Sequence, residues 1–351
     1  MSHRLFSRAV CAFALLFAPA AHAQRTPTAC TSTQPATVAS GGLVSGVSVV
    51  SGPNDTLFVL YDTAVGPRRT VSLLVLSGVN DGSIQTNTFT VGEGSVGRSA
   101  ITIVGSNVVG AYKRTNGQIA VFSRAITGGE VRDQPLTGAP LASVVPSVAS
   151  VGRRVMVAFA SSDGHVHRMM LDGSGVLVGR VRSATGTHRS VQALGAFGGM
   201  ALGMGPAQVE VVRGSRTSRL AAVRGEDVRV FSGATVGRGA LVLSVQGGSA
   251  HIAAIRGAAG AGSERGLGPA VGAAHAALAS TDWGGFSLWP NSGQLMLRAV
   301  RANGSTMGEA FTMGRFGAVA PEAFAAVSHA NVLYAFWGES GEVRMVRMNC
   351  Y

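Results

Sequence analysis

The sequence predicts an all-β fold built from seven repeats of one four-stranded unit, and three observations carry that prediction. Seven short apolar segments, Leu57 to Tyr61, Val108 to Tyr112, Val155 to Phe159, Met200 to Met204, Ala240 to Ser244, Gly285 to Trp289 and Val332 to Phe336, begin 51, 47, 45, 40, 45 and 47 residues apart. A turn follows each segment at a similar distance: Gly66-Pro67, Asn116-Gly117, Asp163-Gly164, Gly205-Pro206, Gly247-Gly248, Asn291-Ser292-Gly293 and Ser340-Gly341. The last unit supplies only three strands, near EAFAAVSH, VLYAFWG and GEVRMVRMN, while TACTSTQPATVA stands unassigned ahead of the first. A shared register at this period is the pattern of a β-propeller blade. The expected architecture is therefore a seven-bladed β-propeller of four-stranded antiparallel blades, its ring closed by the N-terminal strand.

Each element follows in chain order. The chain opens with the basic MSHRLFSR, the short apolar run AVCAFALLFAPA and the small-residue site AHA before Gln24, which reads as a secretory signal peptide over residues 1–23. The mature chain is then expected to be a single propeller domain over residues 24–351. Its 328 residues divide into seven units of about 47 and leave no room for a second domain. The second unit reads as strands ITIVGSN, VVGAYKR, QIAVFSR and VRDQPL. The third reads as SVVPSVAS, VMVAFAS, HVHRMMLD and VLVGRVRS, short valine-rich runs bounded by turn residues as hairpin strands should be.

The fifth position of the recurring segment holds Tyr61, Tyr112, Phe159, Met204, Ser244, Trp289 and Phe336, and is expected to pack between blades. Units four and five are the weakest, with the shortest interval and a Gly/Ala-rich stretch from Gly257 to Ala277 where irregular backbone is expected.

Composition bounds the function classes. With 46% hydrophobic and 13% charged residues the chain has ample material for a core and does not resemble a disordered polymer. No later stretch approaches eighteen uninterrupted apolar residues, so a soluble secreted or periplasmic protein is expected. Removing the leader removes Cys11 and leaves Cys30 and Cys350 in an oxidising compartment, where two thiols have one possible pairing. A Cys30 to Cys350 disulfide would staple the ring shut. Lys113 is the single lysine among 29 basic residues, and loss of Arg4 and Arg8 leaves 27 basic against 17 acidic residues, a formal charge of +10. Such a charge favours polyanionic partners.

In period and pattern the chain resembles secreted bacterial seven-bladed propellers over nearly its whole mature length. The resemblance is generic: no kelch or WD40 signature repeats, and Ser280-Thr281-Asp282-Trp283-Gly284 begins like the S-x-D-x-G-x-T-W box of sialidase-type propellers but has Phe286 in place of the threonine. It implies a scaffold and assigns no activity.

Catalytic and metal chemistry find little support in the pattern. His165 and His167 flank Val166 and share one strand face, but nothing in the sequence ties a third ligand to them. The seventeen carboxylates are too scattered to nominate an acid and base pair, and no nucleophile, phosphate-loop or dinucleotide motif is present. Asp172-Gly173-Ser174-Gly175 lacks the acids that a calcium loop requires and reads as a hairpin turn. No cofactor is expected.

The arginines point further. In a propeller the connections between blades and the turns between strands two and three share a face, and here they carry Arg68, Arg69, Arg98, Lys113, Arg114 and Arg189, the candidate polyanion-binding residues. The opposite face carries Arg153, Arg154 and Arg238. The leading expectation is a monomeric, non-enzymatic binding module for an anionic surface polymer or a protein partner, with nucleic acid ranking below both. The alternative is a polysaccharide hydrolase or lyase whose acids converge near the axis.

Overall fold

The computed structural model describes residues 29–94, 97–205, 208–213, 215–224, 227–257, 260–315, 323–330 and 332–351. The leader expected over residues 1–23, with Cys11, lies outside the described residues. The chain folds as a seven-bladed β-propeller of antiparallel blades. Blade 1 comprises Leu43–Ser51, Thr56–Val65, Arg68–Ser77 and Gln85–Glu93, and blade 2 Ala100–Val104, Asn107–Lys113, Ile119–Ala125 and Arg132–Pro135. Blade 3 comprises Ser147–Val151, Arg154–Ala160, His165–Leu171 and Arg182–Thr185, and blade 4 Ser190–Leu194, Met200–Met204, Val209–Arg213 and Arg216–Arg219. Blade 5 comprises Val228–Val236, Gly239–Gln246, Ser249–Arg256 and Ala261–Pro269, and blade 6 Ala277–Ser280, Gly284–Asn291, Gln294–Arg301 and Thr306–Arg315. Blade 7 holds Phe324–His329, Val332–Glu339 and Glu342–Cys350. All seven recurring apolar segments lie in second strands, because that strand is covered on both faces by neighbouring blades and must be apolar throughout.

The first strand of each blade lies against the first strands on either side. Leu43–Ser51 touches both Ala100–Val104 and Phe324–His329, so the innermost strands encircle an axis. Seven apolar clusters fill the seven seams. Phe159 packs in the seam between blades 2 and 3, Tyr112 between 1 and 2, Trp289 between 5 and 6, and Tyr61 with Phe336 between 7 and 1. The repeated aromatic is therefore core. Trp289 also satisfies its indole N–H on the Pro269 carbonyl at 2.9 Å, as a buried tryptophan requires.

Blade 7 is completed from the N-terminal side. Cys30–Ser32 and Ala36–Ser40 both pair antiparallel with Glu342–Cys350, in the registers Cys30 to Cys350 and Ala36 to Met345. Between the two short strands Pro35 has no N–H to give the ladder, while the Thr33 N–H still reaches the Arg347 carbonyl at 2.9 Å. Cys30 and Cys350 are disulfide-bonded, with Cα atoms 4.1 Å apart.

Two expectations need adjustment. The fourth strand of blade 3 is Arg182–Thr185 rather than VLVGRVRS. Leu177 makes only an isolated bridge to Leu171, and Gly179, at φ 93°, then turns the chain before pairing resumes. In the Gly/Ala-rich stretch the expectation holds only in part: Ala261–Pro269 is a nine-residue strand whose pairing shifts register opposite Ala250 and His251, and residues 270–276 then form a turn and irregular backbone. A Cβ on Gly262 would sit 1.8 Å from the Ala254 carbonyl oxygen, so glycine is what permits that close approach.

Candidate functional site

The inner strands enclose an axial channel of about 1030 Å³ to which all seven blades contribute. Its wall carries small apolar and hydroxyl side chains, including Ser48, Thr102, Ser147 and Ser232, together with Gln192. Part of this polar lining is committed to the scaffold. Gln192 donates to the Gly233 carbonyl and accepts from the Gly233 N–H, both at 2.7 Å, so its amide ties blade 4 to blade 5 as a strand edge would. Ser147 Oγ accepts from the Ala193 N–H at 3.0 Å and does the same for blades 3 and 4.

Among the described lining residues, charge enters at one end. Arg98 and Arg189 come from the connections into blades 2 and 4, Lys113 from the end of the second strand of blade 2, and Arg229 from the start of the first strand of blade 5. Strand direction puts all four on the face of the interblade connections. The lining of the channel, among the described residues, contains these four cations and no carboxylate, histidine or tyrosine.

Their immediate partners differ. Lys113 Nζ donates to the Ser143 carbonyl at 3.1 Å, which holds the ammonium across the connection into blade 3. Arg229 lies 3.3 Å from Asp227, a pair exposed on both sides and therefore weak. Arg98 lies within the field of Asp62, a buried carboxyl that accepts from Ser99 N–H at 2.9 Å and from Ser99 Oγ at 2.5 Å. Burial lifts Asp62 to about 7, with the two Ser99 bonds and Arg98 acting the other way. Arg189 is exposed.

Of the six sequence candidates, the structure brings Arg98, Lys113 and Arg189 to the channel and leaves Arg68, Arg69 and Arg114 off it. Arg68 and Arg69 begin the third strand of blade 1, beside the Gly66-Pro67 turn. Arg114 reaches Asp133 in the outer strand of blade 2 at 2.8 Å and is held there. Sequence reasoning missed Arg229, which sits in the weakly patterned fifth unit. Its signal was its place at the start of a first strand.

The histidines serve the seams. His167 is buried, accepts or donates to Ser161 Oγ at 2.6 Å and Ser183 Oγ at 2.9 Å, and stacks on Phe159 with ring centroids 5.2 Å apart. Desolvation lowers its pKa. Its ring lies 6.2 Å from that of His165, and no group of three metal-ligating side chains forms among the described residues. Asp163 also contacts Ser161 Oγ. That places the acid on the hydroxyl while Ser183 holds the far imidazole nitrogen, which is not the order of a nucleophilic relay. His188 is buried and bonds Glu210 at 2.9 Å, in space that Gly203 and Gly186 leave open, since a Cβ on either would fall 2.2 or 2.3 Å from the ring. Asp172 accepts from the N–H groups of Ser174 and Val176 at 2.9 and 3.0 Å, as a turn residue.

No protein-family model and no curated protein matches the sequence. Solved structures do. The BP39L lectin from Burkholderia pseudomallei superposes with a TM-score of 0.65 at 15% identity, over 89% of this chain and 97% of the lectin. The polysaccharide lyase Uly1 gives 0.53 at 9% identity, over 91% and 99%. A prolyl endopeptidase gives 0.50 at 11% identity over 87% of this chain, which spans half of that enzyme. At such identities the likeness is one of fold.

Proposed function

We propose that the protein is a secreted or periplasmic, non-enzymatic binding module that receives the acidic groups of a glycan at the cationic mouth of the axial channel. The observation that carries this reading is the rim itself, where Arg98, Lys113, Arg189 and Arg229 come from three blades and no carboxylate is found among the described lining residues. Guanidinium forks bind carboxylate and sulfate groups in bidentate fashion, and the serine and threonine wall below offers hydroxyl partners to a sugar. The mature chain would run from Gln24 as one propeller domain. The Cys30 to Cys350 bond suits an oxidising compartment. Fold likeness to a lectin and to a polysaccharide lyase is compatible with a carbohydrate ligand. Glycoside hydrolysis by a carboxylate pair would need two acids at the channel, and the described lining residues include no carboxylate, which supports the binding reading over that one.

The test is a glycan array followed by titration of the best acidic oligosaccharide at several salt concentrations. Four engaged cations predict a log–log salt slope of roughly three, by analogy with single-stranded polyanions. Arg189→Gln with Arg229→Gln should lower affinity by about tenfold or more, the worth of a charge-assisted hydrogen bond. Neutral glycans bound as well as acidic ones, or unaltered affinity in the double variant, would overturn the reading, and release of unsaturated or reducing ends would replace it with the enzymatic one.

A further inference from the structure

A second cationic feature lies on the opposite face and belongs to blade 3. A cleft of about 560 Å³ opens there at the seam with blade 4. Its rim holds five arginines, Arg153 and Arg154 from the first turn, Arg168 from the third strand, and Arg180 and Arg182 from the segment entering the fourth. Among the described residues no carboxylate lines it. Val151, Met156, Met170 and Val178 form an apolar floor, and the turn at Gly198 and Gly199 forms the wall toward blade 4. A Cβ on Gly199 would lie 3.2 Å from Met156 Sδ, so the small residue keeps that wall clear.

Two of the cleft's arginines also face each other across the sheet. Arg168 and Arg182 are register partners across adjacent antiparallel strands. Like charges directly opposite each other destabilise a sheet, and a sequence selected only for stability would place an acid or a neutral residue at one of them. Burial and the Arg182 charge both act to lower the Arg168 pKa, which records the same cost. Arg153, Arg154, Arg180 and Arg182 make no ion pair among the described residues.

We propose that this cleft is a binding site for a compact phosphate-bearing anion, a diphosphate or phosphomonoester group held among Arg153, Arg154, Arg168, Arg180 and Arg182. A single carboxylate brings one charge to five guanidiniums, whereas a diphosphate brings several in the same volume and presents tetrahedral oxygens that more than one fork can grip. The apolar floor excludes water beneath the charges and strengthens each contact. The chemistry recognised is the phosphate itself, shared by a free ligand and a lipid headgroup. The site is independent of the channel, since it shares no residue with it.

Inorganic pyrophosphate is the soluble probe and vesicles of phosphatidylcholine with phosphatidic acid are the membrane probe, each titrated into the disulfide-intact mature chain. Saturable pyrophosphate binding that weakens with salt is expected, and Arg180→Gln and Arg182→Gln should each reduce it by about tenfold. Arg238→Gln, on the same face but outside the cleft, should leave it unchanged. Arg182→Gln has a second signature: relief of the cross-strand repulsion should raise the ligand-free unfolding midpoint by about 1 °C while binding falls. Exposed Arg180 gives the same binding test should the Arg182 variant fold poorly. Vesicle binding lost in the same variants would assign a headgroup, and pyrophosphate binding without it a soluble ligand, both within the proposal. Pyrophosphate affinity equal in wild type, Arg180→Gln and Arg182→Gln would overturn it, as would a lowered midpoint for Arg182→Gln.

Discussion

The two cationic regions are assembled in different ways. The cations at the channel mouth come from Arg98 to Arg229 and from three blades, so their convergence exists only once the ring is closed. Those of the cleft lie between Arg153 and Arg182, all in blade 3, and are brought together by two hairpins. One site is a property of the ring and the other of a single blade. Stability, pH and sequence pattern should therefore act on them unequally.

Opening the ring should separate them most. The Cys30 to Cys350 bond closes a loop with a sequence separation of 320. On the chain-entropy scale such a loop is worth about 5 to 6 kcal/mol, although realised gains are often smaller. The double variant Cys30→Ser with Cys350→Ser should lower the thermal midpoint by roughly 5 °C or more. The two N-terminal strands would still pair with Glu342–Cys350 through backbone hydrogen bonds, so native structure should persist at low temperature. In mild denaturant, acidic-glycan binding at the channel should disappear before pyrophosphate binding at the cleft. Simultaneous loss of both in a denaturant titration would show that the seven blades unfold as one unit and would erase the distinction.

The same contrast explains what could be read without coordinates. The seven second strands were legible because burial on both faces forces an apolar run that a turn must follow, and the closure was legible because the last unit is one strand short. The channel was half legible: topology alone placed Arg98, Lys113 and Arg189 on one face, but which cations tilt inward and which, like Arg114, are taken by a neighbour such as Asp133 depends on side-chain contacts. The cleft was hidden by a register error. VLVGRVRS looks like a strand because it is valine-rich and follows a glycine turn, and RSAT does not, being short and polar. Only with Arg182–Thr185 as the fourth strand does Arg182 come to face Arg168.

A pH titration should sharpen the comparison by a smaller amount. Asp62 is lifted by burial to about 7 from an ordinary value of 3.8. A raised folded-state pKa means that the stabilisation belonging to the neutral carboxyl is complete below the unfolded value and is lost as pH rises through about 7. Asp62→Asn should therefore match wild type near pH 4 and exceed it in stability near pH 8. At the channel, ionisation beside Arg98 adds a counter-charge, so acidic-glycan affinity should fall by about threefold between pH 6 and pH 8. Asp62→Asn should abolish that fall. Pyrophosphate bound among five arginines of the cleft should show no matching change in the protein's contribution, because guanidinium groups do not titrate in this range. An identical pH dependence at both sites, after allowing for the titration of pyrophosphate itself, would remove Asp62 from the explanation.

The smallest effect is expected from Arg68, Arg69 and Arg114. They share the face of the channel mouth but stand off the cavity, and Arg114 is already held by Asp133 at 2.8 Å. Arg68 is exposed and Arg69 half-buried on the first residues of a strand, positions from which a guanidinium attracts a polyanion at long range without gripping it. Beyond about 10 Å such attraction is screened at 0.1 M salt. Changing all three to glutamine should thus lower acidic-glycan affinity by less than about threefold at physiological salt and more at low salt, with the association rate rather than the dissociation rate carrying the change. Kinetics of a long acidic polysaccharide against a short oligosaccharide settle the matter. If the triple variant loses both ligands equally and through faster dissociation, the true site extends from the channel across blades 1 and 2, and the rim of four cations is only its inner edge.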